Sequence, residues 1–278
     1  MRLGAPVHDD CSTPQAWVAA LRRKGYSAAF CPPVNPDDHG AVAAYAAAAV
    51  EANIVIAEVG AWSNPLSADE GERRAAIQKC CRMLDLADRI GAKCCVNIAG
   101  SRAQEWDGPH PDNLSAETFE MIVDTVREII DTAAPTRTDY TLETMPWVPP
   151  HSPQSYLDLI RAIDRERFGV HLDPVNLVNS IERYFDTAGL LRECFDKLGP
   201  WIRSCHAKDI TLSEELTVHL AECAPGEGAL DYATFVREVD RLGPDVPVLI
   251  EHLKSEEDFD RAAAHIRAVA QAEGVTIV

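Results

Sequence analysis

The chain has 278 residues, about twice an ordinary ~150-residue domain, so it holds either two small domains or one large single core. A hydrophobic content of 46% beside 25% charged residues excludes a chain dominated by disorder. With 26 Lys and Arg against 44 Asp and Glu the formal charge is −18, which opposes binding to phosphate backbones and acidic membranes and removes nucleic acid from the expected partners.

Residues 1–10 meet charge and polarity too early for the apolar core of a secretory signal. The longest uncharged apolar stretch, 41–50, is half of the ~20 residues a membrane span needs. A cytoplasmic protein without a membrane segment is expected. β-rich runs at 2–7, 27–31, 54–59, 93–98, 140–143, 168–173, 202–206 and 246–251 alternate with longer helical patterns. Ser67 with Glu70 reads as a capping box ahead of Ile77, Cys80, Cys81, Leu84 and Ala87. Ser152 and Pro153 open a helix with Tyr156, Ile160 and Ile163 on its apolar face, and Ser255 precedes Phe259, Ala262, Ile266 and Val269. The polar segment 210–228 shows no period, carries Gly226 and Gly228, and reads as a loop that forms part of a substrate cover. Nine cysteines, an odd number without C-x-x-C spacing, point to reduced and mostly buried thiols.

Eight even units of about 35 residues match the ~30 or more that a strand-helix-strand element requires. With no linker between them, they predict one (β/α)8 TIM barrel over residues 1–278. An open doubly wound sheet would usually show a glycine-rich turn after its first strand, and Val7-His8-Asp9-Asp10-Cys11 has no glycine.

A barrel carries its chemistry at the C-terminal ends of its strands. Four successive strand candidates end there on Glu143, Asp173, His206 and Glu251. Three carboxylates and an imidazole at one mouth would raise each other's pKa unless a cation neutralised them, so one divalent metal is expected. Three oxygens and one nitrogen rank Mn²⁺, Mg²⁺ and Co²⁺ above structural Zn²⁺.

Leu142-Glu143-Thr144-Met145-Pro146-Trp147, Gly169-Val170-His171-Leu172-Asp173-Pro174-Val175-Asn176, Cys205-His206-Ala207-Lys208-Asp209 and Pro225-Gly226-Glu227-Gly228 resemble the signatures of the xylose isomerase-like sugar phosphate isomerase/epimerase family. The resemblance implies one divalent metal, Mn²⁺ first, held by Glu143, Asp173, His206 and Glu251. It further implies that the two glutamates act as acid and base on opposite faces of a ketose, through an enediolate. The chain departs from the family pattern at Asn176, where epimerases and endonuclease IV enzymes place a histidine; an amide hydrogen-bonds a hydroxyl but does not shuttle a proton. Cys31, Val59 and Asn97 stand near the early strand ends where a three-zinc endonuclease would carry histidines, which speaks against DNA repair.

Further candidates surround this quartet. Lys208 stabilises an oxyanion or pairs with substrate, His171 shares a pleat face with Asp173 as a partner of the metal site, and His219 reaches the site from segment 210–228. Trp62 and Trp147 offer an aromatic wall to a sugar's apolar face. The expected function is a metal-dependent isomerase or epimerase of a ketose or related keto-polyol. A lyase or dehydratase of a keto-sugar, keto-inositol or dehydroshikimate-like substrate shares its first step, whereas a noncatalytic sugar-binding barrel would not need the quartet. The substrate is expected to lack phosphate, there being no glycine-rich phosphate loop, and a homo-oligomer is compatible with the sequence.

Overall fold

The computed structural model describes residues 1–278. In chain order the elements are β1 (Arg2–Gly4), α1 (Pro14–Lys24), β2 (Ala28–Phe30), α2 (His39–Ala52), β3 (Val55–Gly60), α3 (Glu70–Ile90), β4 (Cys94–Asn97), α4 (Ala116–Ala133), β5 (Asp139–Glu143), α5 (Pro153–Ile163), β6 (Phe168–Leu172), α6 (Ile181–Phe185), α7 (Thr187–Leu198), β7 (Ile202–Ala207), β8 (Asp209–Leu212), β9 (Leu220–Cys223), α8 (Tyr232–Leu242), β10 (Pro247–Ile250) and α9 (Glu256–Ala272). Eight strands make one parallel sheet in the order β1-β10-β7-β6-β5-β4-β3-β2. Its ends meet where the Ser27 amide donates to the Leu3 carbonyl at 3.1 Å, so the sheet curls into a nearly closed (β/α)8 TIM barrel. Gly4 permits that closure, because a Cβ there would lie 2.3 Å from the Ala28 carbonyl oxygen.

The strands are short and buried on both faces, β4, β5, β6 and β10 along their whole length, as a parallel sheet wrapped by helices requires. Each of the eight β-rich runs overlaps one of them, with ends displaced by at most three residues. Helix starts follow capping chemistry: Thr13, Asp38, Ser115, Ser152, Asp231 and Ser255 each accept a backbone N–H of the first turn. The start of α3 corrects the sequence reading. Asp69, not Ser67, is its N-cap, accepting from the Glu72 amide at 2.9 Å, while the Ser67 hydroxyl donates to the Glu72 carboxylate.

Segment 210–228 is also corrected, since it holds most of an antiparallel hairpin, β8 paired with β9, that stands off the barrel. Its strands are only four residues each, so the short alternation Asp209-Ile210-Thr211-Leu212 does not stand out from the polar segment that follows it. All nine cysteines are free thiols, and no helix is long and apolar enough to cross a membrane.

Tyr156 of α5 reaches between β5 and β6. Its hydroxyl donates to the Leu142 carbonyl at 2.6 Å and accepts from the Leu142 and His171 amides. Tyr156→Phe is therefore expected to cost about 1–3 kcal/mol through unsatisfied buried backbone groups, read as a lowered unfolding midpoint. An unchanged midpoint would show that the hydroxyl is dispensable.

Candidate active site

The strand register brings the four strand-end residues together. β6 and β7 pair Leu172 with Cys205, so one step further Asp173 comes level with His206. β10 and β7 pair Ile250 with Ala207, which sets Glu251 level with Lys208. On the other side β5 pairs Glu143 with His171. The Thr144 hydroxyl locks the ends of β5 and β6, donating to the Asp173 carbonyl at 2.6 Å and accepting from the Asp173 amide at 3.0 Å. As a result one ligand atom each from Glu143, Asp173, His206 and Glu251 lies within 4.8 Å of the others.

His206 is the hub. Its Nδ1 is 3.2 Å from Glu143 Oε1 and 3.0 Å from Glu251 Oε1, and its Nε2 is 3.3 Å from Glu58 Oε1. Asp173 spends Oδ1 on the Val175 and Asn176 amides, which leaves Oδ2 facing the cluster. Lys208 Nζ stands 2.7 Å from that Oδ2 and 3.0 Å from Glu251 Oε1, at ion-pair distance but outside hydrogen-bond geometry, so both oxygens are buried without a hydrogen bond. Lys208 also meets Glu222 at 3.1 Å and donates to the Asn176 side-chain carbonyl at 3.3 Å, while the Asn176 amide donates to Glu143.

These neighbours split the two glutamates. Burial pushes the Glu143 carboxyl up to about 7 against the opposing pull of His206. Burial also opposes ionisation of Glu251, yet His206 and Lys208 outweigh it and hold that carboxyl far below the usual carboxylate range. His206 is raised despite its burial because Glu251, Glu58 and Glu143 surround it. His171, buried and beside His206, is lowered to about 4.

Two orphaned carboxylate oxygens among three acidic ligands, with an imidazole nitrogen between them in a buried cluster, fit a divalent cation, so this group could hold a metal ion. Above it opens a cavity of about 430 Å³. Trp62 and Trp147 line it, each a little over one-third exposed, as do Asn176 and Lys208. A larger hollow of about 870 Å³ over the loops after β1 and β2 shares Phe30 with this cavity, but its only charged groups are Asp9 and Asp10.

Two other candidate residues lie outside the cavity wall. His171 is fully buried beneath His206, with their ring centroids 4.1 Å apart, and does not line the cavity. His219 is exposed on the hairpin, outside the cavity wall, because its backbone pairs with Ser213 at the tip.

Sequence reasoning passed over Glu58, Trp106, Glu222 and His252. Glu222 of β9 and His252, 3.1 Å apart, join Trp106 in the cavity wall. The hydrogen bond from His252 holds the Glu222 carboxyl down to about 2. Glu58 had one available signal, a carboxylate inside the otherwise apolar run Val55–Gly60.

The xylose isomerase-like TIM barrel model matches residues 18–269. The chain belongs to that family. No curated protein sequence matches it. Among solved structures, the barrel of this family member superposes on a D-psicose 3-epimerase with D-tagatose from Clostridium cellulolyticum at 15% identity and TM-score 0.69, covering 99% of this chain and 100% of that one. The probable 3-DHS dehydratase AsbF of Bacillus anthracis, at 16% identity and TM-score 0.71, covers 97% and 98%. Endonuclease IV from Thermus thermophilus, at 15% identity and TM-score 0.70, covers 98% and 100%. Three chemistries match about equally well, so the likeness shows the fold and not the reaction.

Proposed function

We propose that this protein is a divalent-cation-dependent isomerase or epimerase acting on an unphosphorylated ketose or related keto-polyol, with Mn²⁺ ranked ahead of Mg²⁺ and Co²⁺. The observation that carries the reading is that Glu143 and Glu251, from strands that are not neighbours, both line the cavity and both flank Nδ1 of the same histidine. Glu143, Asp173, His206 and Glu251 would hold the cation, which when bound supplies Lewis acidity toward a carbonyl and its neighbouring hydroxyl. One glutamate then takes the proton α to the carbonyl and the other returns a proton to the opposite face. Lys208 balances negative charge on the substrate oxygens, Asn176 hydrogen-bonds a hydroxyl, and Trp62 with Trp147 packs the apolar face and excludes water. The likeness to the D-psicose 3-epimerase supports this reading.

A second reading, a carbon–oxygen lyase, is favoured by His252, which Glu222 holds in the cavity wall where an imidazole can protonate a leaving hydroxyl. Incubation with ketoses in D₂O and Mn²⁺ tests both. Solvent deuterium at the carbon next to the carbonyl, in a product that keeps every hydroxyl, is the expected result. An unsaturated product would transfer the assignment to the lyase. Turnover with complete retention of the substrate hydrogen would count against either proton-transfer route.

A further inference from the structure

Beneath the four candidate ligands lies a buried acidic group that the proposed reaction does not use. Glu58 sits within β3, in register with Cys94 of β4, and is only 2% exposed. A carboxylate enclosed in a barrel interior is retained only when its neighbours compensate for lost hydration. Its Oε1 faces His206 Nε2 at 3.3 Å, while Oε2 accepts from the Ser204 hydroxyl at 3.5 Å and lies 3.4 Å from His171 Nδ1. The two nitrogens of His206 are thereby committed in opposite directions, Nε2 down to Glu58 and Nδ1 up to the carboxylate cluster. An imidazole presents to a cation the nitrogen whose partner carries the proton, and the acceptor of that proton selects which one it is. The His171 ring packs edge-on against His206 at 75°.

We propose that Glu58 is a positioning residue: by accepting the Nε2 proton of His206 it aims Nδ1 at the carboxylate cluster and strengthens cation binding there. The proposal rests on the cation reading of the site. Glu58, His171 and His206 also offer ligand atoms within 4.8 Å of one another, but an ion among them would take the Nε2 that the proposal assigns to a hydrogen bond.

The test is Mn²⁺ affinity of the full chain, measured from the electron paramagnetic resonance of free ion. Glu58→Gln and Glu58→Leu are expected to weaken binding about 10–100-fold. Unfolding midpoints in EDTA identify any variant that has lost its fold, and the isosteric Gln keeps the test open if Leu does. In an Asp173→Asn background Glu58→Gln should cost its full factor, whereas in a His206→Gln background it should add less than about twofold, because Glu58 acts through that ring. Equal losses in both backgrounds would reveal a through-space charge effect and overturn the proposal. So would Glu58→Gln binding within about twofold of the wild type, or uptake of more than one ion per chain. A wild type that binds no Mn²⁺ would overturn the cation reading together with this one, which separates the two failures.

Discussion

Glu251→Gln is expected to lower kcat for the keto-substrate by about 10²–10⁴-fold at saturating Mn²⁺, and Glu143→Gln to do the same. An amide keeps the size of the side chain and one oxygen, but it cannot take a proton from carbon or return one. The two carboxylates share a single histidine nitrogen at 3.0 and 3.2 Å, so each substitution also touches the candidate cation site. Mn²⁺ affinity measured in parallel, with kcat read only at saturation, separates lost proton transfer from lost metal. Solvent-deuterium exchange should disappear with turnover in both variants. Retention of more than about a tenth of kcat in either one would remove that glutamate from the proton-transfer pair.

The second large effect concerns Lys208. Its ammonium is buried with Asp173 and Glu251 at 2.7 and 3.0 Å, and Glu222 closes the group at 3.1 Å. Burial alone would lower its pKa, but these carboxylates raise it, so the ammonium is a counter-charge of the metal-free site beside His206. Lys208→Met leaves the buried Asp173 and Glu251 without that partner and is expected to destabilise the metal-free protein by about 3–5 kcal/mol. Mn²⁺ should restore most of the loss, because an ion that binds only the folded chain stabilises it by mass action. The measurement is the unfolding midpoint of wild type and variant in EDTA and in Mn²⁺. Identical midpoints in EDTA would contradict the counter-charge role, and an equal deficit in both conditions would point to lost packing by the lysine stem.

What was legible in the amino-acid order was local. Apolar runs alternating with capped helices, such as Ser152 leading into Tyr156 and Ile163, gave the eight units because period and capping are properties of neighbouring residues. Parallel strands that share one direction must place their C-terminal ends on one face, and for that reason Glu143, Asp173, His206 and Glu251 could be grouped without coordinates. Tertiary structure decided whatever depended on residues distant in the chain. Glu58 lies far in sequence from His206 and Ser204, and only barrel closure and the phase of the β3 pleat bring its carboxylate under the histidine. Glu222 entered the wall because β9 pairs with β8, a hairpin of four-residue strands too short for an apolar period to announce it, and the same pairing turned His219 out to solvent. Lys208 reads in sequence as a lysine two positions past a histidine. Its burial among carboxylates of β9 and of the residues that follow β6 and β10 depends on strand register, which short-range patterns do not specify because slipping a strand by one residue exchanges its faces without changing its composition.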